Sequence, residues 1–77
     1  MSNYEFIRKN LSLSAEFNAY LLSHPDFLLN LPHKANVIFE VKDDHYFLNK
    51  NLEIARKAHQ KYVIVSRNDD SWELKRP

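Results

Sequence analysis

Four histidines, at positions 24, 33, 45 and 59, are the side chains here best suited to metal binding or proton transfer. His45 and His59 fall on roughly one face of a helix. At 1.5 Å per residue they lie about 21 Å apart, too far to share an ion. His24 and His33 bracket a short helix. Their spacing matches no paired-histidine motif, such as His at i and i+4. Both stand next to prolines and read as surface residues, so no metal site is expected. The carboxylates are no more suggestive. Asp43 and Asp44 are adjacent and diverge, as a turn and a helix cap would have them, and Asp69-Asp70 reads as a turn. Ser12, Ser14 and Ser23 lack the strand–turn–helix elbow that exposes a nucleophilic serine. The chain has no cysteine, which removes thiolate nucleophiles and disulfides. It has no glycine either, which removes phosphate loops and dinucleotide fingerprints of standard design. No enzyme and no cofactor are expected.

A second chemistry is nucleic-acid binding. Eleven Lys and Arg against ten Asp and Glu leave a net charge of +1, so there is no global argument for it. The basic residues are denser toward the C-terminus. Lys57, Lys61, Arg67, Lys75 and Arg76, with Trp72 among them, could supply phosphate contacts and a stacking platform.

These residues need elements to hold them. Ser2 with Glu5 three positions later is a capping box, and a helix is expected from about Asn3 to Leu22. His24-Pro25 ends it. A short helix over about Asp26 to Leu31 follows, stopped at Pro32. Residues 35–41, AlaAsnValIlePheGluVal, read as a strand. A third helix fits about Asp44 to Lys61, with Phe47, Leu48, Leu52, Ala55 and Ala58 on its inner face. Asn51 falls in that face and reads as a satisfied amide. Glu53 and Lys57 form a favourable i,i+4 pair on the outside. Tyr62-Val63-Ile64-Val65 is apolar on both sides, as an interior strand is. Asn68-Asp69-Asp70 is a turn, after which Trp72–Lys75 can pair back as a weak edge strand. The expectation is one α+β domain over residues 1–77, ordered α-α-β-α-β with that third edge strand. It is a small α/β layer whose parallel β-α-β unit is preceded by two helices. Without glycine, tight turns are expected at Asn30, Asn36, Asn68 and Asp69, the residues most tolerant of positive φ.

The first helix carries more apolar surface than one core needs. One stripe holds Tyr4, Ile7, Leu11, Ala15 and Leu22. A second holds Phe6, Leu13 and Phe17, with Leu21 at its edge. The polar line Asn10, Ser14, Asn18 runs between them. Together they span roughly 200°, twice the apolar stripe of about 100° that a surface helix buries. One stripe is expected on the sheet and the other against a second chain. The contact is assigned to Phe6, Asn10, Leu13, Ser14, Phe17, Asn18 and Leu21. In the alternative, the second helix and the C-terminal tail cover the extra stripe.

The segments Tyr4–Leu11, Ala15–Asn18, His24–Leu28 and Leu31–Glu40 together resemble a family of short prokaryotic proteins classed as a domain of unknown function. The likeness is good over the first half and looser over the third helix and second strand. It implies a free-standing prokaryotic domain and carries no site residues. No apolar run is long enough to span a membrane, and Glu5, Arg8 and Lys9 break any signal-peptide pattern near the start. A cytoplasmic chain is expected. Its function is read as a non-enzymatic binding or regulatory module acting through protein–protein contact, as a homodimer. An antitoxin-like partner protein and a nucleic-acid binder are the alternatives.

Overall fold

The computed structural model describes residues 2–75. The elements run α1 (Asn3–Ser23), α2 (Pro25–Leu29), β1 (Asn36–Val41), α3 (His45–Lys57), β2 (Tyr62–Asn68) and β3 (Ser71–Lys75). The expected α+β order therefore holds, including the C-terminal edge strand. Two compact units are formed, residues 1–30 and 31–77.

The first unit is a helical hairpin. Ser2 caps α1 by accepting a hydrogen bond from Glu5 N at 3.1 Å. His24 ends α1, its N–H bonded to Leu21 O, and it also precedes Pro25 at the head of α2. Its ring stacks on Tyr20 at 3.8 Å, and its Nδ1 lies 2.9 Å from Tyr20 O. α2 folds back through Phe27. That ring meets Phe17 edge-on at 5.6 Å and Tyr20 at 5.7 Å. Aromatic pairs prefer this T-shaped arrangement.

The second unit is the β-α-β-β layer. β2 is central in the order β1-β2-β3, parallel to β1 and antiparallel to β3. That placement explains why β2 is apolar on both sides. On one face Ile38 packs with Leu52 and Ala55 of α3, joined by Leu48, Tyr62 and Ile64. The opposite face carries Phe39, Val63, Val65 and Trp72, all buried. Val65 lies between Phe39 on β1 and Leu74 on β3 and is fully enclosed. Phe39 and Trp72 meet across it at 5.6 Å.

α3 ends four residues earlier than expected. Asp44 caps it, accepting from Phe47 N at 3.1 Å. It stops at Lys57 because His59 turns left-handed, with φ 54°. His59 N bonds Arg56 O and Gln60 N reaches back to Ala55 O at 3.2 Å. This is the Schellman arrangement, with histidine where glycine is usual. Ala58 becomes the exposed C-cap and leaves the inner face. Asn51 is half-buried and donates to Phe47 O at 3.3 Å, as a satisfied amide should.

The turns correct a second expectation. Positive φ occurs at Lys34, Asp43, His59 and Asp69, so only Asp69 was foreseen. Asn30 is right-handed, while Asn36 and Asn68 belong to strands. Lys34 and Asp43 occupy the third positions of turns closed by Ala35 N to Pro32 O and by Asp44 N to Val41 O. A type II turn demands positive φ there. Asp43 is a residue type tolerant of positive φ, whereas Lys34 is not, so there the turn geometry prevails over residue preference.

Candidate functional site

The two apolar stripes of α1 differ in exposure, and the open one is not the one assigned to a second chain. Phe6, Leu13 and Phe17 are buried, Asn10, Ser14 and Leu21 are half-buried, and Asn18 is exposed. The stripe assigned to a second chain is thus mostly withdrawn from solvent. Asn10 donates to Phe6 O at 3.3 Å within its own helix. The other stripe is open: Tyr4 is 72%, Ile7 57%, Leu11 67% and Leu22 87% exposed. Ala15 between them is exposed as well. α2 does not cover this stripe, because its aromatic contacts go to the Phe17–Tyr20 side of α1. Among the described residues, six of the eight exposed large apolar side chains, including Leu28 and Leu29, belong to the helical hairpin. Scattered apolar residues on a surface are ordinary, whereas a row of them along one helix is a candidate contact surface.

A second feature lies wholly in the sheet unit. A cleft of about 440 Å³ opens at the carboxyl ends of β1 and β2, beside the start of α3. That is where open α/β sheets place their ligands. Glu40, Asp44, His45, Ser66, Asn68 and Lys75 are among its walls. Lys75 Nζ lies 2.9 Å from Glu40 Oε1, tying the edge strand β3 to β1 across β2. That hydrogen bond holds the Glu40 carboxyl below its ordinary range. Partial burial opposes the shift and a hydrogen bond from Ser66 reinforces it. Lys75 is raised in turn by Glu40. The cleft's best-placed charges already satisfy one another.

The basic set does not converge. Lys57 is exposed at the end of α3 and paired with Glu53 at 2.8 Å. Lys61 precedes β2 while Arg67 lies near its far end, about 20 Å away at 3.3 Å per residue. Lys75 pairs in register with Ile64, so it lies on the α3 side of the sheet. Arg67 and Trp72 are partners on the opposite side. Trp72 is buried against Phe39 and offers no open ring for stacking. Arg76 lies outside the described residues.

His45 begins α3 and lines the cleft, whereas His59 forms the turn beyond that helix. Among the described residues, no group of three or more His, Cys, Asp or Glu is placed to hold a metal ion. Among the same residues, no helix is long and apolar enough to cross a membrane.

Fold and surface together define a small α+β domain with an exposed apolar helix face. The chain belongs to a family of unknown function, DUF5647, whose model matches residues 5–75. No curated protein and no solved structure matches it.

Proposed function

We propose that this chain is a small non-enzymatic module that works through protein–protein contact, with the exposed stripe of α1 as its contact surface. The observation that carries the reading is the row Tyr4, Ile7, Leu11 and Leu22, open to solvent along a single helix. Burying such side chains on a partner is worth about 1.5–3 kcal/mol each before the costs of association. The basic C-terminal residues support a nucleic-acid reading less well, because they are spread over two sheet faces and a helix end. A cytoplasmic setting in a prokaryote is part of the proposal. The cysteine-free composition fits a reducing compartment.

The test uses the chain in an extract of its native host. It should migrate well above its own 9.2 kDa. Leu11→Asp, which places a charge mid-stripe without touching a buried residue, should return it to the single-chain mass. Migration of both proteins as the free chain would overturn the reading.

A further inference from the structure

We propose that the partner is a second copy of this chain, with the two α1 helices packed antiparallel around a two-fold axis level with residue 13. The proposal rests on the reading of the exposed stripe as a contact surface.

The argument begins with spacing. Tyr4, Leu11, Ala15 and Leu22 form the midline of the exposed stripe, within about 40° of one another at 100° per residue. Their intervals are seven, four and seven, a palindrome centred on residue 13. A two-fold axis at that level sets Tyr4 of one copy against Leu22 of the other, and Leu11 against Ala15. Each of these contacts occurs twice. The central contact is large against small. Ala15 leaves room for the Leu11 side chain, so the helix axes can close to the usual 8–10 Å. The seam from Tyr4 to Leu22 is about 27 Å long. A surface that a two-fold maps onto itself is what an isologous dimer requires.

Charge selects the direction. Arg8 and Glu16 are exposed on the same side of the stripe's midline, about 40° and about 120° from it, in opposite halves of α1. In the antiparallel pair, Arg8 comes level with Glu16 of the copy to within about 3 Å along the axis, so that the two extended side chains can reach toward each other across the helix gap. This happens on both sides of the two-fold. Pairing in parallel would leave Arg8 and Glu16 of the copy on opposite sides of the seam and about 12 Å apart along it, so they could not meet.

The chain has no cysteine, so any disulfide must join introduced thiols. Tyr4→Cys and Leu22→Cys replace exposed side chains and should leave the fold intact, which circular dichroism checks. Mixed and oxidised, the two variants should form a disulfide between unlike chains, identified by mass. Either variant alone should form at least tenfold less. Cross-linking mainly within one variant would mean parallel pairing and overturn the proposal. Cross-linking no greater than that of Asn49→Cys, an exposed position on α3, would overturn self-pairing altogether. Arg8→Glu should weaken the dimer about tenfold, and adding Glu16→Arg should restore it. An unchanged dissociation constant in Arg8→Glu would remove the charge argument and the direction with it. If the purified chain fails to cross-link while the host extract still shows the Leu11-dependent heavier species, self-pairing fails and the contact function stands.

Discussion

Single residues carry strain in this chain that a glycine would have relieved. His59 sits at φ 54° in the Schellman turn that ends α3. A left-handed conformation costs a side-chain-bearing residue about 1–2 kcal/mol. His59→Gly should therefore stabilise the protein by about 1 kcal/mol, partly offset by the greater freedom of glycine in the unfolded chain. For a domain this size that is a rise of about 4–8 °C in melting temperature, read by calorimetry. A fall in melting temperature would show that the His59 side chain makes a contact worth more than the strain. The Glu40–Lys75 pair makes a prediction in pH. Glu40 is lowered from 4.5 in the folded protein, so its contribution is present above that value and fades as pH falls through the depressed one. Lys75 is raised from 10.5, so its contribution is full below that value and is lost as pH rises beyond it. Urea unfolding of wild type and Glu40→Gln should thus differ most at about pH 7 and converge toward about pH 3. An equal gap at both would contradict the pairing. Neither partner of that pair was legible beforehand. It joins positions 35 residues apart that only the register of three strands brings together.

At the scale of elements, the sequence was legible wherever local patterning decides. Capping by Ser2 and Asp44, the stop at Pro25 and the alternation in β1 and β2 each place an element to within a residue or two. The length of α3 was not legible, because no glycine or proline marks its end and a histidine does the turning. The two stripes of α1 were visible on a helical wheel, but which one would be buried was not. Both are apolar and similar in width, and a wheel carries no information about what lies opposite. Phe6, Leu13 and Phe17 include the two largest aromatic side chains on the apolar faces after Tyr4, and Phe17 finds Phe27 as a partner. In the other stripe, Tyr4, Ile7, Leu11 and Leu22 stay open. The described members of the basic set do not converge, for a related reason. Proximity in sequence put Arg67 and Lys75 in one group, while strand alternation sends them to opposite sides of the sheet.

For the whole molecule, a chain of 77 residues can bury only about 60% of the surface that its unfolded form exposes. Association is a common remedy at this size. The helical hairpin of residues 1–30 holds most of the exposed large apolar side chains. In the sheet unit, Tyr46 and Ile54 of α3 are the large apolar side chains exposed among the described residues. That asymmetry is the reason the proposed contact is placed on α1 rather than on the sheet. The most direct measurement is the molar mass of the purified chain by light scattering over a dilution series, beside Leu11→Asp. Wild type should approach twice its 9.2 kDa at high concentration and fall toward 9.2 kDa on dilution, while the variant stays at 9.2 kDa throughout. A wild-type mass of 9.2 kDa at every concentration, or a dimer that Leu11→Asp leaves untouched, would contradict self-pairing through the exposed stripe of α1.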